Sequence, residues 1–323
     1  MVAQNAIINV NDYTTIQTVV SNVLGTGSAT LGYGQTVTSR GDTTTPSVTS
    51  GSLISYQTSD FQWAALYADM QKIANHQGFT SANYTSLQSL IGTNIASGAT
   101  IRAQDVNLIS TVAGELQTNA LSFSNTDMTT TNGILTSVRT TAWGSGNGIV
   151  QHIFNVAFGS YDNLRFFFNS GGAITFGASL AGYTSNPQTT NWFNLLSTMG
   201  TITYGATGAT YSGTGGTAYS IAYGSLTSSA QTIFRAYGST TGGQSIYTSN
   251  FYQVTASVSS STLTFSVIFD DAYTARFSPQ LNPDQINGTL TSSIGLRKAG
   301  ATYLTISRPV AGDFTTTTAL STG

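Results

Sequence analysis

The stretch Tyr252-Gln253-Val254-Thr255-Ala256-Ser257-Val258-Ser259-Ser260-Ser261-Thr262-Leu263-Thr264-Phe265-Ser266-Val267-Ile268-Phe269 decides the fold class. Tyr252, Val254, Ala256 and Val258 alternate with polar residues, and so do Leu263, Phe265, Val267 and Phe269. Period two marks half-buried strands, and Ser259 to Ser261 between them mark a hairpin turn. Upstream, residues 149–158 alternate in the same way. Tyr161–Asn169 then reads as a helix closed by Gly171 and Gly172, Ala173–Leu180 as a strand, Thr189–Met199 as a helix stopped by Gly200, and Thr201–Tyr204 as a strand. Downstream, strands are expected near Leu290–Leu296 and Tyr303–Ser307, and the polar tail from Phe314 reads as extended chain. The segment 205–248, rich in Gly, Ser, Thr and Tyr, is too long for a structureless loop in a compact domain and implies contact surface or hidden short strands.

Towards the N-terminus the period changes to that of helices. Apolar residues at 13, 16, 19, 20, 23 and 24 predict a helix with Asp12 as N-cap and Gly25 as stop. A second is expected over about Asp60–Asn75, with Phe61, Ala64, Ala65, Leu66, Met70 and Ile73 as its stripe, Trp63 at its flank and Gly78 at its end. A third begins near Ala103, and a short fourth is expected over Gly133–Arg139. Thr43–Ser52 holds few apolar residues and reads as an extended arm. The fold class is therefore α+β: a mainly helical docking domain over 1–142, then a mixed α/β sheet domain over 143–323.

Only 7% of the 323 residues are charged and the net charge is −2, against about 25% charged in ordinary soluble domains. No field exists to steer the chain onto nucleic acid or an anionic membrane. No stretch approaches the roughly 20 apolar residues of a spanning helix, and the first ten residues lack the basic and apolar regions of a secretory signal. A weakly charged surface repels its own copies little, which favours packing in an assembly. The absence of cysteine excludes disulfides and thiolate chemistry.

Little else carries chemistry. Gly25-Thr26-Gly27-Ser28-Ala29-Thr30 starts like a dinucleotide fingerprint, but Thr30 replaces the third glycine and the run follows a helix, so no cofactor is expected. His76 reads as a C-terminal residue bonding the last carbonyls of its helix, and His152 as a structural strand residue. Asp270 and Asp271, adjacent on a strand, point to opposite faces and do not form an acid–base pair. Tyrosines with Ser and Gly make adaptable contact surfaces, so Tyr211, Tyr219, Tyr223, Tyr237 and Tyr247 are the expected interaction residues, with contact between subunits favoured over glycan binding. No catalytic or metal-binding residue is expected, and the chain reads as non-enzymatic.

Two sets of blocks carry a family resemblance. The first is Tyr13-Thr14-Thr15-Ile16-Gln17, Leu24-Gly25-Thr26-Gly27-Ser28 and Gly32-Tyr33-Gly34-Gln35, followed by Trp63-Ala64-Ala65-Leu66-Tyr67-Ala68-Asp69 and His76-Gln77-Gly78. The second is Tyr161-Asp162-Asn163-Leu164-Arg165-Phe166-Phe167-Phe168-Asn169-Ser170-Gly171-Gly172-Ala173-Ile174. Both resemble virion structural proteins of tailed phages, above all myoviruses of cyanobacteria and other aquatic bacteria. The resemblance implies a homo-oligomeric neck, tail or fibre-associated component, assembled in the host cytoplasm and docked to other neck, tail or baseplate proteins. A tail-fibre module that binds a host surface glycan is the alternative it leaves open. Within the second block, Arg165 is expected to pair with Asp162 one helical turn back and to lie against an aromatic face.

Overall fold

The computed structural model describes residues 8, 10–39, 60–91, 101–123, 127–144, 148–240, 245–272 and 285–322; the expected arm Thr43–Ser52 lies outside them. The fold is α+β, with both of its sheets antiparallel. The chain forms two compact units. The first takes Met1–Met128, Asn169–Gly171 and Ala299–Ile306, and the second Thr129–Phe168, Gly172–Lys298 and Ser307–Gly323. The division thus falls at Met128/Thr129 instead of 142/143, because the segment expected as a short helix over Gly133–Arg139 is a strand.

The first unit holds α1 (Val10–Leu24), α2 (Asp60–Gln77), α3 (Ala82–Leu90) and α4 (Ala103–Thr118). α1 begins two residues before Asp12, which stands inside the first turn, where a carboxylate favours the helix dipole, and is not the N-cap. Tyr13, Ile16, Val20, Val23 and Leu24 of α1 are buried with Leu66, Met70 and Ile73 of α2 and Val106, Ile109, Val112 and Leu116 of α4. The α2 seam runs through Trp63, whose ring meets Tyr13 edge-on at 5.1 Å, while Ala64 is exposed. α3 did not show in the apolar pattern because only Tyr84 and Leu87 of its nine residues are buried; Ser81 caps it by accepting the Tyr84 N–H.

A buried carboxylate fixes the chain that follows α1. Asp69, 2% exposed, accepts from the backbone N–H and hydroxyl of Thr38 and from those of Ser39, at 2.7–3.2 Å. Asp69→Ala leaves these donors, the buried Ser39 N–H above all, without an acceptor. It is expected to lower stability by about 2 kcal/mol, read as a reduced midpoint in denaturant unfolding.

The second unit is a sandwich of two sheets. The five-stranded sheet has the order β1-β10-β3-β4-β5 and the six-stranded sheet β11-β2-β9-β8-β7-β6. Their strands are β1 (Met128–Arg139), β2 (Ile149–Ala157), β3 (Ala173–Ala181), β4 (Ile202–Gly205), β5 (Gly208–Tyr211), β6 (Gly216–Ala218), β7 (Gln231–Tyr237), β8 (Phe251–Ser259), β9 (Thr262–Asp270), β10 (Thr289–Ala299) and β11 (Phe314–Thr322). The strand–helix–strand order around α5 (Tyr161–Asn169) makes no parallel crossover, because β2 and β3 lie in different sheets. The sheet domain therefore consists of two antiparallel sheets. Residues 205–248 hold β5, β6, β7 and two 3-10 turns, so the low apolar content concealed short strands. The tail from Phe314 is a paired strand beside β2, and Tyr303–Ser307 is outside any strand.

The hairpin is as its alternation demands. Ser259 pairs with Thr262 around Ser260-Ser261, and Ser260 adopts φ +55°, the backbone state that two-residue hairpin turns require. Its inward side chains meet those of the other sheet: Phe265 lies 4.9 Å from Phe176 and 5.9 Å from Tyr204 between ring centres. Aromatic groups fill the interior at both ends of β2. At one, Phe167 and Phe168 of α5 pack with Phe158, Tyr204 and Tyr223. At the other, Trp192 of α6 (Pro187–Met199) packs with Trp143 and Phe269. Gly200 ends α6 at φ +67°. The expected Arg165–Asp162 ion pair forms at 2.9 Å, with the guanidinium 5.0 Å from the Phe166 ring centre.

Candidate functional site

Strand register determines which side chains share the outer face of the six-stranded sheet. Inward positions on β2, β8 and β9 are filled by Val150, His152, Phe154, Tyr252, Val254, Phe265, Val267 and Phe269, all buried. The intervening residues point out. Pairing places Tyr237, Phe251, Asp270 and Ile149 in one row across four strands. Arg235, Gln253, Ile268 and Gln151 make the next, then Thr255, Ser266, Ile153 and Thr317, then Ser257, Thr264, Asn155 and Thr315.

The face carries two charges, Arg235 and Asp270, both towards one end. The rest is hydroxyl, amide and aliphatic. Neighbouring rows and strands satisfy one another: Gln151 Nε2 donates to Ser266 Oγ at 2.5 Å, Thr264 Oγ1 to Asn155 Oδ1 at 2.8 Å, and Arg235 Nε to Gln253 Oε1 at 2.6 Å. The Arg235 guanidinium lies 4.6 Å from the Phe251 ring centre and 5.9 Å from that of Tyr237, and its Nη1 reaches the Tyr237 hydroxyl at 3.2 Å. Burial raises the Asp270 pKa, and Arg235 opposes that rise. Covering such a face costs little: neutral groups already hydrogen-bonded lose far less on leaving water than ions do. It is suited to contact over a broad area.

The five tyrosines expected to make contacts are not brought together. Tyr237 is 50% exposed on this face, and Tyr219, 38% exposed, follows β6 at the sheet's edge. Tyr211 belongs to the other sheet, half-buried, its hydroxyl donating to the Gly216 carbonyl at 2.6 Å. Tyr223 and Tyr247 are corrected: both are core residues, 5% and 1% exposed. Tyr223 stacks flat on Phe168 at 4.7 Å, because a tyrosine in a Gly/Ser-rich turn fills the aromatic interior that small residues cannot. Phe251, Gln253, Arg235 and the β2 and β9 residues were missed as a surface. The hairpin alternation shows that Gln253, Thr255, Ser266 and Ile268 face out, but which strands flank them depends on long-range pairing.

The two histidines are buried. His76 does not bond its own helix's carbonyls; its Nε2–H donates to the Ser170 carbonyl at 3.1 Å, and Tyr33 and Phe123 flank the ring at 5.2 and 5.1 Å. Gly171 beside it is obligatory: at φ +85°, a Cβ would stand 2.3 Å from Met128 and 2.7 Å from Phe123. His152 Nδ1 bonds Ser292 Oγ at 2.6 Å, tying the two sheets together through the core. Burial holds both imidazoles down to a pKa of about 4. Asp270 and Asp271 part as expected: Asp271 is fully buried and accepts from Gln188, while Asp270 is on the outer face.

Among the described residues no three His, Asp or Glu side chains are grouped to hold a metal ion, and no helix is long and apolar enough to cross a membrane. A hollow of about 480 Å³ in the helical unit is lined by Gln77, Gly78, Phe79, Thr80, Asn119, Ser122 and Phe123. It carries no charged side chain. Comparison with protein-family models, with curated proteins and with solved structures gave no match.

Proposed function

We propose that this chain is a non-catalytic structural protein of a tailed-phage particle, belonging to the neck or tail region, which associates with its own copies and docks neighbouring virion proteins. The observation that carries the proposal is the outer face of the six-stranded sheet: four rows deep and nearly uncharged, with Gln253 and Thr255 already buried on it and with Gln151–Ser266, Thr264–Asn155 and Arg235–Gln253 bonded to one another. Such a surface favours permanent contact, because most of it is neutral and its two ions, Arg235 and Asp270, stand at one end, where they need not be stripped of water. The resemblance of the Tyr13–Gly78 and Tyr161–Ile174 blocks to phage structural proteins supplies the particle.

A second reading rests on one corner of the same face. Arg235 beside the rings of Phe251 and Tyr237, with Gln253 and Asp270 alongside, mixes aromatic and hydrogen-bonding groups. A sugar ring takes such a mixture, as a receptor-binding module would.

Electron microscopy of particles carrying a gold-labelled copy of the chain distinguishes the two. Label at the neck or along the tail is the expected result. Label confined to distal fibre tips, with binding of host polysaccharide that Tyr237→Ala abolishes, overturns the structural reading in favour of the glycan-binding one.

A further inference from the structure

β1 is the longest strand of the sandwich and stands at the edge of its sheet, bonded on one side to β10. Proteins commonly guard such edges with short strands, charges, proline or cover. The opposite edge, β5, is four residues long and is covered by the chain after β6, the Ala209 N–H donating to the Tyr219 carbonyl at 3.1 Å. β1 spans twelve residues, Met128–Arg139, has no Pro, Lys, Asp or Glu, and is exposed from Thr129 to Gly133 and at Thr136 and Val138. Gly133 stands at φ +60°, and Ile134–Arg139 follows it with no further positive φ. Its single charge is at its end, where the Arg139 guanidinium turns back to donate to the Thr141 and Ala142 carbonyls at 3.1 and 3.2 Å.

An open row of backbone N–H and C=O groups is complementary to another strand. The side chains indicate which. Ser137 is buried, so Ile134, Thr136 and Val138 share the outward face, and Val138 is a large apolar residue 49% exposed. When the segment pairs with itself antiparallel about Thr136, Ile134 stands opposite Val138 at both ends of the contact, Leu135 opposite Ser137, and Thr136 opposite Thr136. Each Arg139 then faces Gly133, so no like charges meet. The exposed valines are covered by isoleucines of the other copy.

We infer that β1 is the site of homotypic association: two copies join about a two-fold axis by antiparallel β1–β1 pairing centred on Thr136, extending their five-stranded sheets into one. This rests on the proposed assembly role and assigns the contact between copies to β1, leaving the outer face of the six-stranded sheet to neighbouring proteins.

The chain has no cysteine, so a single introduced thiol reports the register. Opposed residues in an antiparallel pair have Cα atoms about 4.5–5.5 Å apart, within disulfide reach. On mild oxidation the full-length Thr136→Cys chain is expected to run as a covalent dimer, and Thr131→Cys, whose two copies stand about 30 Å apart in this register, as a monomer. Thr136→Lys opposes two ammonium groups at an exposed position, and is expected to raise the dimer dissociation constant about tenfold or more in sedimentation. Failure of Thr136→Cys to cross-link, or an unchanged constant for Thr136→Lys, while the unmodified chain still associates, overturns the β1 assignment and leaves self-association standing. A chain that stays monomeric overturns both.

Discussion

Acidification from pH 7 to 4.5 is expected to remove about 2–3 kcal/mol of stability for each of the two histidines. Both imidazoles are about 1% exposed, and burial holds each neutral to a pKa of about 4, against 6.5 in the unfolded chain. For His76 the Ser170 carbonyl and Asp127 oppose the shift without cancelling it. For His152 the Arg139 charge adds to it. Between pH 6.5 and 4 the unfolded chain therefore binds more protons than the folded one, so stability is complete above pH 6.5 and falls as the pH drops towards 4. Each pKa unit is worth about 1.4 kcal/mol. Geometry agrees, since His76 Nδ1 and His152 Nε2 are buried without hydrogen-bond partners and a proton placed there has no acceptor. Denaturant unfolding at half-unit pH steps measures the slope. His76→Gln and His152→Gln should each remove their own share, and a flat profile from pH 7 to 5 contradicts the account of both sites.

Trp192→Ala is expected to cost about 3–5 kcal/mol, the range for emptying a large aromatic site in a core. The ring is fully buried, 5.0 Å from Trp143 and 6.0 Å from Phe269, at one end of the sandwich interior. The adjacent Phe193 is 38% exposed and touches Tyr183, so Phe193→Ala should cost only about 1 kcal/mol or less. Equilibrium unfolding of the two variants, followed by tryptophan fluorescence, gives the contrast. Equal effects at 192 and 193 would contradict the placement of α6.

The hairpin that specifies the sandwich was legible because apolar and polar residues alternate along both strands, although Gln253 and Thr255 on the polar face of β8 are buried as well. α1, α2, α4, α5 and α6 were legible for the corresponding reason at period 3.6. β1 was misread as a helix because Ile134, Leu135 and Val138 are at helical spacing and the strand, exposed over much of its length, shows no alternation. β5 and β6 were invisible because strands of four and three residues are too short for any period to appear. The interaction face was half-legible. Its residues could be assigned outward from the hairpin, but its breadth comes from β2, β7 and β11, of which β2 and β11 pair across more than a hundred residues. Tyr223 and Tyr247 show the limit of composition: loop tyrosines look like contact residues until the space beneath them is known.

The claim that this is an assembling protein is tested most directly by sedimentation equilibrium of the full-length chain over a hundredfold range of concentration. The account predicts a concentration-dependent mass above the 33.7 kDa of one chain, rising to a defined oligomer. A mass that stays at 33.7 kDa throughout contradicts it.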